Sequence, residues 1–264
     1  MFKVALLVFV ISFQSVVAKA DTLTFLAGDF CPYNCDPLKE EGRLGFTHDI
    51  LNKIFPEHEI IVERVAWERA FKEFNSEKES ITGIIGITKE LPINKEISYW
   101  PEHEIGQYTH AFYALKNSSL ATWKYDGLAS LKGKYLGAAR GFSYCSAEMT
   151  EYVKKAPPSS VSPLAGNRLI ERNLHKLSKQ RIDLWLANIP MADYFMFNNK
   201  EKAAGVIRVD KLPCTGVVDA YPVFYNDEKG KALATAFDKG IAALRTSGKL
   251  DEILSAYGVE DWVE

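Results

Sequence analysis

Residues 59–87, "EIIVERVAWERAFKEFNSEKESITGIIGI", decide the fold. Residues 59–65 are rich in β-branched apolar side chains and predict a strand, as does the run Ile81–Ile87. Between them Trp67, Ala70, Phe71 and Phe74 recur at i, i+3, i+4 and i+7, one face of a helix. Strand, helix, strand at this spacing is the unit of a parallel sheet covered by helices. Upstream, "LTFLAG" (23–28) predicts another strand. "FTHDILNKIFP" (46–56) follows it as a helix, with Ile50, Leu51, Ile54 and Phe55 on one face and Pro56 as its stop.

The alternation resumes downstream. "YTHAFYALKN" (108–117) predicts a strand leading out of the first unit, and "KGKYLGAARG" (132–141) a strand with a glycine turn. A helix over "SYCSAEMTEYVKKA" (143–156), a second over "NRLIERNLHKLSKQ" (167–180) and a strand over "IDLWLAN" (182–188) come next. Pro190 opens a further helix, "GVIRVD" (205–210) and "AYPVFYN" (220–226) are strands, and Leu233, Phe237, Ile241 and Leu244 form one face of a long helix ended by Gly248. Both units are α/β.

The chain begins with Lys3 ahead of an apolar run from Val4 to Phe13 and small residues at Ala18 and Ala20, which predicts a secretory signal peptide over 1–20 cleaved after Ala20. That apolar run is shorter than the ~20 residues a membrane span needs. No cysteine follows the cleavage position, so no lipid anchor is expected there. Without residues 1–20 the chain has 244 residues, 30 basic and 34 acidic, a net charge of −4. That balance is no footprint for nucleic acid or an anionic membrane.

Chemistry-bearing motifs are few. There is no Gly-x-Ser-x-Gly elbow and no Walker-type phosphate loop. His58 and His103 sit in the two copies of "PEHEI" (56–60 and 101–105), charged turns that predict solvated loops, and His48, His110 and His175 are scattered. No metal or cofactor is expected. The pentapeptide Cys31-Pro32-Tyr33-Asn34-Cys35 is one residue too long for a dithiol oxidoreductase site, and Pro37 and Gly42 beyond it do not continue a helix. Four cysteines in an exported chain pair in any of three ways.

The order of seven segments resembles that of the family 3 extracellular solute-binding proteins, the periplasmic receptors of polar amino-acid uptake systems. These are "GDFCPYN" (28–34), "LGFTHDIL" (44–51), "VAWERAF" (65–71), "IIGIT" (84–88), "LKGKYLGAARGFSY" (131–144), "SKQRIDLWLAN" (178–188) and "FDKGIAALRTSGKLDEILSAYG" (237–258). The resemblance implies a two-lobe Venus-flytrap fold of the periplasmic binding protein type II class. Each α/β lobe is a mostly parallel sheet flanked by helices, and two inter-lobe crossings join them. Lobe 1 is expected over 21–109 plus 216–264 and lobe 2 over 110–215. A small-molecule ligand would bind in the cleft outside the carboxyl ends of the strands. The implied partner is an ABC permease in the inner membrane, or alternatively a separate sensor protein. The chain would act as a monomer and not as an enzyme, although a few members of the fold are dehydratases.

Carried over position by position, Phe30 with Tyr33 is the cleft aromatic, and Trp67 a second one. Trp67 also reads as the head of its helix's apolar stripe, and both readings stay open. Thr88 ends the apolar strand. Phe142 and Ser143 follow the lobe 2 glycine at an expected helix N-terminus, where N–H groups favour an anion; Ser143 is equally an N-cap. Arg69 and Arg140 are candidates to hold an anionic group, and Tyr144 and Trp185 candidates for the cleft wall. The resemblance places Cys145 in lobe 2 and Cys214 at the second crossing, bonded to each other, which leaves a Cys31–Cys35 disulfide stiffening the lip that carries Phe30 and Tyr33.

Two positions depart from the amino-acid receptors of this family. The arginine that clamps the ligand carboxylate is Leu91, and the aspartate that receives the ammonium is Asn188. Lys89 and Lys95 are the nearest charges to stand in for the arginine. The expected ligand is therefore a less polar or partly aromatic organic solute rather than a standard α-amino acid.

Overall fold

The computed structural model describes residues 21–165, 168–216 and 218–263; the expected signal peptide lies outside them. Two sheets organise the chain. The first contains β1 (Thr22–Ala27), β2 (Glu59–Arg64), β3 (Gly83–Ile87), β4 (Ser98–Tyr99) and β5 (Gly106–Gln107), completed late in the chain by β11 (Asp219–Tyr225). Its order is β2-β1-β3-β11-β4, with β5 also on β11. The second contains β6 (His110–Leu115), β7 (Leu136–Ala139), β8 (Val161–Leu164), β9 (Leu184–Asn188) and β10 (Val206–Lys211), in the order β10-β6-β9-β7-β8.

Side-chain alternation explains why each sheet is covered on both faces. In β1, Leu23 and Phe25 pack with α1 (Phe46–Ile54), α6 (Glu228–Thr246) and α7 (Lys249–Ser255), whereas Leu26 packs on the other side with Ala70 and Phe74 of α2 (Trp67–Asn75). In the second sheet Phe112, Leu136 and Leu186 pack with Met149 and Val153 of α3 (Ala147–Lys155). Tyr113, Trp185 and Ala187 pack instead with α4 (Leu169–Ser178) and α5 (Ile189–Asn198). Phe25, Phe74, Phe112 and Phe237 are fully buried, each contributing about 1.5–3 kcal/mol of transfer free energy. Gly45 precedes α1 with φ 101°, and a Cβ there would stand 2.2 Å from the Tyr33 carbonyl oxygen. Only glycine lets the lip and the helix start approach so closely.

The expected two-lobe α/β architecture with two crossings is present, with three differences in detail. Each sheet is mixed: β2, β1 and β3 are parallel and so are β8, β7 and β9, but β11, β6 and β10 run antiparallel to their neighbours. β8 has no counterpart among the expected elements; its Pro163 lies at the sheet edge, where the missing N–H breaks no ladder. The helix expected from residue 143 starts at Ala147, because the Ser146 hydroxyl, not that of Ser143, accepts the Met149 N–H and caps it.

The crossings lie side by side. β5 pairs with Asp219 and Ala220 of β11, and Tyr108 N–H donates to Val218 O at 2.8 Å. One turn on, Leu212 N–H donates to His110 O at 2.9 Å. The half-cystines pair as Cys31–Cys35 and Cys145–Cys214.

Candidate functional site

The carboxyl ends of β1 and β3 face those of β7 and β9 across a cleft with two compartments that share Phe30, His110, Phe142 and Asn188. The first, of about 290 Å³, has no charged side chain in its wall. The first lobe supplies Phe30, Trp67, Phe71 and Leu91, the crossing supplies Tyr108 and His110, and the second lobe supplies Phe142, Ser143 and Asn188.

Local packing sets these positions. Gly28, just after β1, lets the indole of Trp67 lie on the backbone: a Cβ there would stand 2.5 Å from Cε2. Trp67 in turn stacks on Phe71, with ring centroids 5.7 Å apart. Both are half-buried, while Ala70 and Phe74 of the same stripe are buried, so Trp67 and Phe71 turn to the cleft and Ala70 and Phe74 to the core. Phe30 meets Tyr108 edge-on at 5.7 Å, and the Tyr108 hydroxyl donates to Gly86 O at 3.0 Å. Burial raises the Tyr108 phenol above its ordinary value.

His110 is 4% exposed. Its Nδ1 accepts the Cys145 N–H at 3.3 Å, and burial pushes its pKa down to about 4, a backbone hydrogen bond at Tyr108 partly opposing. The imidazole is therefore neutral near pH 7.

Asn188 ends β9 and caps α5, its Oδ1 accepting the Met191 N–H at 3.1 Å. Burial and the neighbouring Tyr108 push the Tyr33 phenol up, and a hydrogen bond from Asn188 acts against them. The carbonyl end of the amide thus has a partner in the protein.

The second compartment, of about 400 Å³, is walled by Tyr144, Trp185, Met191 and Phe195 and rimmed by charge. On the first lobe Lys39 bridges Asp29 at 2.8 Å and Asp36 at 3.0 Å; on the second, Arg168 Nε bonds Glu171 at 2.6 Å.

Of the sequence-expected site residues, Phe30, Trp67, Phe142, Ser143 and Asn188 come together. Four stand apart. Tyr33 is 1% exposed behind Phe30, its hydroxyl donating to Gln107 O at 2.5 Å. Arg69 is exposed and ion-paired with Glu73 at 2.6 Å, Arg140 is exposed, and Thr88 is half-buried; none of the three lines either compartment. Neither lysine replaces the missing arginine. Lys89 sits over the Tyr221 ring at 5.1 Å, and Lys95 is exposed outside both compartments. His110 and Tyr108 were not anticipated as wall residues. The signal available for them was their place at the start of the strand that leaves the first unit.

No protein-family model matches the sequence, and no curated protein matches it. Solved structures do share the fold. Substrate-binding domain 2 of Lactococcus lactis GlnP, in its open conformation, is 17% identical with TM-score 0.64, covering 91% of this chain and 97% of that one. The unliganded, open L-cystine solute receptor of Neisseria gonorrhoeae is 15% identical with TM-score 0.66, covering 92% and 94%. A histidine kinase sensor domain with similarity to periplasmic binding proteins is 17% identical with TM-score 0.56, covering 89% and 95%. The two-lobe architecture of the periplasmic binding protein type II class is thus common to this chain and these proteins.

Proposed function

We propose that this chain is a periplasmic solute-binding receptor of the family 3 type, with lobe 1 over 21–109 plus 216–264 and lobe 2 over 110–215, working as a monomer after loss of residues 1–20. It captures a small organic solute between the lobes and delivers it to an ABC importer in the inner membrane. The observation that carries this reading is the uncharged aromatic compartment between two lobes joined by paired crossings, the geometry in which hinge closure buries a ligand. Leu91 in its wall, where an arginine would clamp a carboxylate, and Asn188, whose Oδ1 already accepts the Met191 N–H, support a ligand other than a standard α-amino acid.

A thermal-shift screen of amino acids beside organic acids, amines and small peptides tests it. The expected result is stabilisation by a member of the non-amino-acid groups; a strong shift with histidine or glutamine contradicts the ligand class. The likeness to a histidine kinase sensor domain favours a second reading, ligand input to a separate sensor. Ligand-dependent uptake into vesicles carrying the cognate permease separates the two.

A further inference from the structure

The charges around the cleft are matched within the protein, which adds a chemical requirement to the receptor reading, on which this inference rests. Among the described residues no charged side chain lines the first compartment, and six line the second: Asp29, Asp36, Lys39, Glu40, Arg168 and Glu171. Each has a partner. Lys39 bridges Asp29 and Asp36, Glu40 accepts the Tyr194 hydroxyl at 2.6 Å, and Glu171 binds both Arg168 and Lys202, the latter at 2.9 Å. A charged ligand group entering here would lose its water and find every counter-charge occupied, a cost that an uncharged solute avoids. The two compartments meet at Phe30, His110, Phe142 and Asn188, which border both. On either side of this waist stand apolar walls, Trp67 and Phe71 in the first compartment and Trp185, Met191 and Phe195 in the second. A cavity of about 150 Å³ holds a benzene ring, so compartments of about 290 and about 400 Å³ seat one ring each. The waist itself is polar and neutral. His110 is uncharged near pH 7, and the Asn188 amide has two donor hydrogens and two lone pairs, of which the Met191 N–H occupies one lone pair. The uncharged group that meets such an amide with both a donor and an acceptor is another amide.

We infer that the cleft takes an uncharged amide with an apolar group at each end, one group beside Trp67, the other beside Met191, and the amide at Asn188. A small peptide with blocked or cyclised ends falls in this class. Calorimetric titration of the mature protein with four matched probes tests this. N-benzyl-2-phenylacetamide carries both rings and the amide. In N-benzyl-2-phenylethylamine the carbonyl is replaced by CH₂ and the nitrogen is protonated, in phenylacetylglycine a carboxylate replaces the second ring, and N-methyl-2-phenylacetamide lacks that ring. The two-ring amide is expected to bind at least tenfold more tightly than each of the other three. Its affinity should fall at least fivefold in Trp67→Ala and in Met191→Ala, one half-buried side chain from each compartment, with thermal unfolding recorded for both variants. Equal or tighter binding of the amine, the carboxylate or the one-ring amide overturns the inference, as does binding of none of the four, or an unchanged affinity in either variant once it is shown to be folded. The receptor reading survives each of these results. It falls separately, if no small molecule of any class stabilises the protein.

Discussion

The backbone N–H of Cys145 donates to Nδ1 of His110 at 3.3 Å. A residue at the first crossing is thereby tied to a half-cystine of the second lobe, whose disulfide partner, Cys214, lies on the returning segment. Thr215 N–H and Gly216 N–H close the arrangement by donating to Cys145 O at 2.8 and 3.1 Å.

This contact predicts a pH dependence. The folded-state pKa of His110, about 4, lies below its ordinary 6.5, so between those values the unfolded chain binds a proton that the folded chain refuses. Stability should fall as pH drops from 6.5 toward 4, by about 3 kcal/mol from this group, and level off below. Urea unfolding at pH 7 and pH 4.5 should show a smaller difference for His110→Gln than for the native chain; equal differences would count against the assignment.

The two disulfides should differ in what they contribute. Cys145–Cys214 closes a sequence separation of 69 residues and Cys31–Cys35 one of 4, so loop-closure entropy gives about 4 against about 2 kcal/mol. Alanine pairs at each position, compared by chemical denaturation, should lose stability in that order.

Leu91→Arg/Asn188→Asp should create measurable affinity for α-amino acids, since it restores a fork for the carboxylate and a charge for the ammonium. Arg69→Ala should leave ligand affinity unchanged, because Arg69 is turned to Glu73 outside the cleft. Calorimetry with a panel of amino acids checks the first claim and titration with the native ligand the second.

The lobes also touch at the edge of the cleft. The Tyr194 hydroxyl of α5 donates to Glu40 Oε2 at 2.6 Å, and Arg43 Nη1 donates to Asn198 Oδ1 at 3.3 Å. Tyr194→Phe removes the stronger, charge-assisted bond, worth about 1.5–3 kcal/mol. It should enlarge the radius of gyration of the unliganded protein in small-angle scattering; an unchanged radius would show that this contact does not set the opening.

The α/β alternation was legible because runs such as "IIGI" and the stripe Trp67, Ala70, Phe71, Phe74 carry their period locally. The site was legible only in part, for reasons of geometry. Helical period cannot say that Trp67 and Phe71 turn to the cleft while Ala70 and Phe74 turn to the core; Gly28, 39 residues before Trp67, decides it by leaving room for the indole. Ser143 and Ser146 offer the same capping chemistry three residues apart, and only tertiary packing selects Ser146. Arg69 was a reasonable anion holder by residue type, but an acid one helical turn away claims it. His110 has no motif around it. Its role comes from Cys145, which is near in space and distant in sequence.

Native mass spectrometry of the purified protein, followed by release and identification of whatever it carries, tests the central claim most directly. The account predicts one small organic molecule per chain, without an α-amino acid group, released unchanged after incubation and lost from a Trp67→Ala/Phe142→Ala variant. A standard α-amino acid in the cleft, or a molecule converted by the protein, would contradict it.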